Sequence, residues 1–301
     1  MANQIIDDIK LKIKSGNVVT RLIVINITVF LIISLFRILL FFTGGIGLFA
    51  YFVKLFIENI SFPLSLHGFL FKPWTLITYM IVHIELMHLF WNKVTLFWFG
   101  QILTNFTDSK KIIPLYLLGG IAGGIITILL VNLIPDFNIY IGLPLVGASA
   151  GVTAIIIAAA ALVPNYQLNL MFIGPVKLIY VALFVIFIEV LSVTSFNNVG
   201  GNIAHLGGAL MGFIFIQQFK KGRDLSKGIN KFLTWIGNLF QSSPKSKLNV
   251  AYKRPVSDEE YNYTRKVTQQ QIDAILDKIS KSGYESLSKA EKDILFNASK
   301  K

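Results

Sequence analysis

The 301-residue sequence contains no cysteine, and charged residues make up only 15% of it. The lack of cysteine excludes disulfide bonds, thiolate metal sites and cysteine nucleophiles. A soluble domain carries about 25% charged residues, so this chain has too little polar surface for a soluble globule of its size. Hydrophobic residues account for 54% of the sequence and occur in clusters. This composition indicates a polytopic membrane protein and argues against a cytosolic enzyme or a disordered chain.

Six apolar segments are candidates for crossing a bilayer, which requires about 20 residues for each helix. The predicted spans are 22–42, 75–100, 112–134, 147–163, 177–195 and 201–219. The first has no small-residue cleavage site after it, so we interpret it as a retained signal anchor. The stretch between the first two spans is aromatic but broken by glycine and proline, and we expect it to lie in the interface or to re-enter partly. The predicted fold is an all-α polytopic bundle of six transmembrane helices with a short soluble helical tail.

The distribution of basic residues between these spans predicts the orientation of the chain. One set of loops carries most of them: Lys10, Lys12, Lys14, Arg21, Lys110, Lys111, Lys177, Lys220, Lys221 and Arg223. The loops on the opposite side carry Lys54 and Lys72. Because loops rich in lysine and arginine stay in the cytoplasm, both termini are predicted to be cytoplasmic. Spans two, four and six then enter from the outer face.

The chain after residue 218 is basic, with 17 Lys and Arg against 9 Asp and Glu. Apolar residues at helical spacing predict an amphipathic helix on the inner leaflet, followed by a polar linker, within residues 220–256. Residues 257–301 are predicted to form a small helical module for docking or stabilisation, with a helix ended by Gly283 and a capping box of Ser288 and Glu291. No base-reading motif accompanies the charge, so we expect contact with lipid and not with nucleic acid. The remaining predicted domains are a cytoplasmic segment at 1–21 and the membrane domain at 22–219.

Two polar residues, Ser149 and His205, lie near the outer ends of predicted spans. Polar side chains are costly within a membrane, so their presence there indicates a specific role. Ser149 lies in a GASAG motif, which matches the G-x-S-x-G pattern of soluble hydrolases but here opens a membrane helix. His205 lies at a similar depth in span six, which enters from the same face. Small residues let the two helices approach closely; the glycines concerned are Gly147, Gly151, Gly208 and Gly212. The two segments together predict a contact between serine and histidine, whereas the GASAG motif alone is also explained by helix packing.

A serine beside an imidazole is the arrangement that nucleophilic catalysis requires. The histidine takes the hydroxyl proton during attack and returns it to the leaving amine. No acidic residue is close to His205 in the sequence, and Asn202, three residues earlier, is neutral and is given a supporting role. Glu189 in span five is expected to be structural. We therefore predict a catalytic dyad of Ser149 and His205, not a triad.

Hydrogen-bond donors for a developing oxyanion are available in span two and at Ser149. His88 and Asn92 are spaced i, i+4 and share one helical face, while the Ser149 backbone amide at a helix N-terminus is a third candidate. His83 is five residues before His88, so on a continuous helix it faces a different surface, and it is given a supporting role. A zinc site is the competing interpretation of these histidines. Their spacing differs from the His-Glu-x-x-His pattern, so no metal and no other cofactor is predicted.

Taken in this order along the chain, the motifs resemble the rhomboid family of intramembrane serine proteases over about residues 18–219. The matching segments are Trp74–Asn92, Gly147–Gly151 and His205–Gly212. The resemblance implies that Ser149 is the nucleophile, that His205 is the general base and that His88 and Asn92 are oxyanion donors. It also implies membrane-protein substrates with a small residue before the scissile bond. The implied location is a bacterial plasma membrane, with an active site open to the outer face.

The sequence departs from some rhomboids at two places. A Trp-Arg pair is missing from the first outer loop, and Thr153 stands where an aromatic residue stacks on the histidine in some members. The main alternative function is a catalytically weak or inactive rhomboid-like protein that binds membrane clients, although such relatives typically lack the serine or the histidine and both are present here. A transporter or channel is less favoured because the sequence has no convincing internal repeat. The oligomeric state stays open.

Overall fold

The computed structural model describes residues 18–42, 48–170, 173–195, 198–240 and 258–298, which belong to two compact units, Met1–Gln241 and Ser242–Lys301. Most of the predicted N-terminal segment, with Lys10, Lys12 and Lys14, lies outside the described residues. The polar linker predicted after the amphipathic helix, at about 241–256, also lies outside them.

The first unit is built almost entirely of helices. They are α1 (Val18–Phe42), α2 (Leu48–Ile60), α3 (Leu66–Phe71), α4 (Thr75–Thr78), α5 (Leu86–Phe106), α6 (Ile112–Leu133), α7 (Ser149–Leu162), α8 (Leu178–Thr194), α9 (Val199–Lys220) and α10 (Ser226–Phe240). Short 3-10 turns cover Tyr79–Ile81, Ser109–Lys111 and Pro135–Tyr140. Within the described residues, two small antiparallel ribbons pair β1 (Phe62–Pro63) with β2 (Pro144–Leu145) and β3 (Gln167–Leu170) with β4 (Gly174–Lys177).

Several of these helices have the composition of membrane spans, so the chain is an integral membrane protein. Among the described residues, α1, the stretch Ser109–Leu133 that contains α6, and α9 are long and apolar enough to cross a bilayer, while α7 and α8 are shorter apolar helices. Five of the six predicted spans coincide with α1, α6, α7, α8 and α9. Their predicted ends agree with the helix ends to within two residues, apart from the start of α1.

The prediction of a continuous second span at 75–100 is wrong. The helical turns that begin at Thr75 end at Ile81, the backbone at Val82 and Glu85 is extended, and α5 starts only at Leu86. Hydropathy records which residues are apolar but not where the chain changes direction, so hydropathy does not predict this break. As a result, His83 precedes the helix instead of lying within it.

The centre of the first unit is α7, whose residues 150–160 are all buried. It is made mainly of alanine, glycine and isoleucine, and α6 and α9 pack closely on it. On α6, a Cβ atom added to Gly123 would lie 2.8 Å from the Ala150 methyl carbon and 2.5 Å from the Ala204 carbonyl oxygen of α9. Small residues thus allow three helix backbones to meet around one point.

Helix α10 is anchored at its start to the turn before α6. The Ser226 hydroxyl and amide donate hydrogen bonds to Asp224, 2.5 and 2.9 Å long. The Asp224 carboxylate also lies 3.2 Å from the Lys111 ammonium group. The hydrogen bond from the Ser226 hydroxyl is the main reason why the pKa of Asp224 lies below its usual value. Further along α10, Asn230 donates to the Lys110 carbonyl oxygen at 3.1 Å.

The second unit contains α11 (Asp258–Ser282), a 3-10 turn at Tyr284–Ser286 and α12 (Lys289–Ala298). The helix end predicted at Gly283 is confirmed, with φ at 75°. The capping box is confirmed as well, because the Ser288 amide donates to Glu291 at 2.7 Å and the Glu291 amide donates to the Ser288 hydroxyl at 3.3 Å. Hydrogen bonds from Lys278 and Ser288 lower the pKa of Glu291 to about 2.

Candidate active site

A polar cavity of about 470 Å³ lies where the start of α5, the turn before α7 and the first two turns of α9 meet. Its lining residues are Ile84, Glu85, His88, Pro144, Leu145, Val146, Ser149, Asn198, Gly201 and His205. Three of the residues predicted from sequence to carry chemistry, Ser149, His205 and His88, therefore share one cavity.

The turn before α7 holds Ser149 at the first position of the helix. The amides of the first turn of a helix have no partner within the helix, so the Ser149 N–H is available at the cavity. The Gly147 amide donates to the Tyr79 carbonyl oxygen at 3.0 Å and fixes the turn. Gly147 has φ at +123°, and a Cβ atom there would lie 2.7 Å from His88 Cε1. Both the backbone conformation and the space therefore require glycine at this position.

The backbones of α7 and α9 touch one turn below His205. A Cβ atom at Gly208 would overlap the Ala150 carbonyl oxygen, and one at Gly212 would overlap the Ala154 carbonyl oxygen. The two glycines on α9 thus let this helix lie directly against α7. Gly151 does not take part in this contact, although it was predicted to. It packs on α6, where its Cβ position is 2.6 Å from the Tyr116 carbonyl oxygen.

Glu189 of α8 reaches the other side of His205. One of its carboxylate oxygens, Oε1, lies 2.8 Å from Nδ1 of the imidazole, and the two side chains are 18% and 16% exposed. The groups are within ion-pair distance but lack the alignment of a hydrogen bond. The role predicted for Glu189 from the sequence is structural, because hydropathy does not define its depth relative to His205.

The prediction that His83 and His88 face different surfaces is wrong. Their rings are 5.3 Å apart at an interplanar angle of 62°. The reason is that the helix is interrupted before Leu86, and the rule of 100° per residue applies only within a continuous helix. His83 is fully buried, and its Nε2 accepts a 3.4 Å hydrogen bond from the Ala148 amide. This histidine therefore supports the turn that leads into α7.

Two predicted residues lie near the cavity without lining it. The Asn92 side-chain amide donates a 2.9 Å hydrogen bond to the His88 carbonyl oxygen, and Asn92 is buried. Asn202 is also buried, and its backbone N–H donates to the Asn198 carbonyl oxygen at 3.0 Å. Thr153 is turned toward its own helix, because its hydroxyl donates to the Ser149 carbonyl oxygen at 2.8 Å.

Asn198 and Glu85 also line the cavity, although neither is among the functional residues predicted from the sequence. Asn198 precedes α9 in the left-handed conformation, with φ at 51°. Its side chain lies against Gly201, where a Cβ atom would overlap the Asn198 amide. Asparagine tolerates the left-handed region better than most residues, so an Asn followed three residues later by glycine was the available signal. No sequence pattern marks Glu85, because its position at the cavity depends on the interruption of the helix before Leu86.

The fold and this polar cavity define a helical membrane protein in which a serine and a histidine line the same cavity. Residues 70–220, half of the chain, match the family model of the Rhomboid domain. The chain belongs to the rhomboid family, which confirms the resemblance seen in the sequence.

Two further similarities were found, one for the C-terminal residues and one to a plant protein. Residues 257–301 match a family of unknown function (DUF6576). Over 166 residues the chain is 29% identical to RHOMBOID-like protein 12, mitochondrial, of Arabidopsis thaliana. This match covers 50% of the present chain and 47% of the plant protein, so the chain spans about half the length of this curated relative.

Proposed function

We propose that this protein is an intramembrane serine endopeptidase, which hydrolyses peptide bonds in or near transmembrane segments of membrane proteins. The observation that carries the proposal is the polar cavity that Ser149 and His205 share. Membership of the rhomboid family, in which serine proteases are typical, supports it. Ser149 and His205 supply a nucleophile and a base in one polar cavity inside an otherwise apolar bundle, an arrangement suited to peptide hydrolysis by acyl transfer.

In the proposed mechanism, His205 takes the proton of the Ser149 hydroxyl as the oxygen attacks the scissile carbonyl carbon. The resulting tetrahedral oxyanion accepts hydrogen bonds from the Ser149 amide and the His88 side chain. His205 then gives the proton to the leaving amine, and the C–N bond breaks. Water, deprotonated by the same histidine, releases the acyl group from the serine. Asn92 has a second amide hydrogen and is a further candidate donor, but its position outside the cavity lining favours His88.

The substrates that fit this site are membrane-embedded proteins. A transmembrane helix satisfies its own backbone hydrogen bonds, so its scissile bond becomes accessible only when the helix unwinds locally. We therefore propose that substrates carry helix-destabilising residues near the outer boundary of the membrane, with a small residue before the cleaved bond. Stiffening that stretch of a substrate with leucine or alanine should slow its cleavage.

The proposed topology has six spans, formed by α1, α5, α6, α7, α8 and α9, with both termini in the cytoplasm of a bacterium and the cavity open to the outer face. Helix α10 then lies on the inner leaflet. Its exposed residues Phe232, Trp235 and Leu239, together with Lys227 and Lys231, suit an interfacial helix on an anionic surface. The C-terminal module, residues 257–301, is proposed to act as a docking or stabilising element.

Cleavage of a generic single-span substrate by the purified protein in detergent tests the proposed activity. We expect Ser149→Ala and His205→Ala to lower kcat/KM at least about 1,000-fold, as removal of a member of a serine triad does. EDTA should leave the wild type active. The matched controls are Ser195→Ala and His67→Ala, which remove an exposed serine and an exposed histidine.

Two results would contradict the proposal. Cleavage that survives in Ser149→Ala would show that another group is the nucleophile. No cleavage by the wild type, across substrates with and without helix-breaking residues, would favour the alternative of a non-catalytic rhomboid-like protein that binds membrane clients. The observation that favours weak activity is Thr153, which stands where some rhomboids have an aromatic residue that stacks on the histidine.

A further inference from the structure

Helix α8 carries a single charged residue in an otherwise apolar sequence, and that residue is Glu189. A carboxylate in a membrane helix is costly unless it has a specific partner. Its neighbours Ile188 and Val190 are exposed on the bundle surface, but the Glu189 side chain is turned inward and only 18% exposed. The partner it meets is Nδ1 of His205, at 2.8 Å.

From this contact we infer that Glu189 is a positioning residue for His205, so that the site is a Ser-His-Glu triad assembled from α7, α9 and α8. The inference rests on the proposed function and deepens it. It replaces the dyad predicted from sequence, in which His205 had no acidic partner.

An imidazole has two ring nitrogens, and a partner at one determines what the other can do. A carboxylate at Nδ1 favours the tautomer that carries its proton there. Nε2 then presents a lone pair, which is the form that can take the Ser149 proton. The carboxylate also stabilises the imidazolium that exists after this transfer. No proton passes to Glu189 in this scheme.

The other ionisable groups around His205 do not provide this contact. His88 and Glu85 line the same cavity. Within the part of the chain that the structure describes, Glu189 is the acidic side chain within ion-pair distance of the His205 ring. On α7, the side with Ser149, the hydroxyl of Thr153 is bonded to its own helix. Orientation of the imidazole is therefore left to α8.

The kinetic test compares Glu189→Gln, Glu189→Ala and Glu189→Asp in the full chain in detergent. Replacing the carboxylate of a serine triad by its amide lowers kcat by about 10,000-fold where the carboxylate is well aligned. The looser contact here leads us to expect a loss in kcat of about 100-fold for Glu189→Gln, with KM changed by less than about threefold. Glu189→Asp should retain more activity than Glu189→Gln. The matched control is Tyr180→Phe, which removes one polar atom from an exposed position of α8.

A second readout follows the imidazole itself. The chain has only four histidines, so ¹⁵N-histidine spectra are simple, and a His205→Gln sample assigns the signals of His205. We expect the Nδ1–H tautomer in the wild type and a shift toward Nε2–H in Glu189→Gln. This measurement does not depend on cleavage, so it tests the contact even if the substrate is wrong.

The outcomes separate the inference from the proposed function. If Ser149→Ala still cleaves, the protease mechanism fails, whatever Glu189 does. If Ser149→Ala is inactive but Glu189→Gln keeps wild-type kcat, the positioning role alone is wrong. A loss of kcat with unchanged His205 signals would make Glu189 a structural residue, and it would also overturn the inference.

Discussion

The two helices that meet α9 around His205, α7 and α8, are held in opposite ways. Every residue of α7 from 150 to 160 is buried, and its backbone touches α9 at two glycines. On α8 only Leu178 and Ala182 are buried, and most of its large apolar side chains are exposed. Ser149 therefore belongs to the most tightly packed helix of the unit, whereas Glu189 belongs to one of the least packed.

The contrast shows that two different kinds of contact position the residues of the proposed active site. Close backbone contact between α7 and α9 fixes the distance from Ser149 to His205, because such an interface cannot shift without a clash. The orientation of the imidazole depends instead on one polar contact from α8. We expect substitutions on the α7 side to damage stability first, and those on the α8 side to damage catalysis with little loss of stability.

Among these variants, we expect Gly212→Leu to lower the free energy of unfolding the most. Overpacking costs about 1–3 kcal/mol and occasionally more. We expect the upper end here, because the added side chain would meet the backbone carbonyl oxygen of Ala154 on α7. Unfolding of the purified protein in detergent, followed by circular dichroism, measures the change. Gly237→Leu is the matched control, since nothing lies within 4 Å of that position on α10. Equal stability of the two variants would mean that the α7–α9 contact is not tight.

An intermediate effect is expected from Gly147→Ala, in the turn that leads into α7. A residue other than glycine at φ +123° is strained by about 1–3 kcal/mol, and the added methyl group would press on His88. We expect the strain to lower the unfolding temperature. We also expect a loss of kcat, because the methyl group would displace the His88 side chain, a proposed oxyanion donor. Gly142→Ala, in the same loop and with open space around it, should change neither quantity. If both variants behaved alike, the special conformation of Gly147 would be irrelevant.

The smallest effect is expected on the outer surface of α8. Leu183 is 55% exposed, so Leu183→Ala should change the free energy of unfolding by less than about 0.5 kcal/mol. Ile155→Ala, fully buried on α7, should cost about 2–5 kcal/mol. The same unfolding assay measures both. A large cost at Leu183 would remove the difference between the two helices on which this interpretation depends.

Hydropathy located most of the helices, because the apolar character of a segment is local information. The stretches predicted at 112–134 and 201–219 became α6 and α9. The capping box of Ser288 and Glu291 was equally readable, since its partners are three residues apart. The break before Leu86 was not, because an extended stretch between apolar turns has the same average hydropathy as a helix.

The sequence by itself determined that this chain is a membrane protein of the rhomboid family, and it singled out Ser149, His205 and His88. Those residues stand in motifs whose chemistry and spacing are readable along the chain. Only the tertiary structure decided that His83 meets His88, that Gly151 faces α6 and that Glu189 reaches His205. The physical reason is that each of these contacts depends on the rotation and depth of one helix relative to another. Packing of side chains from distant segments sets both quantities, and no local pattern encodes them.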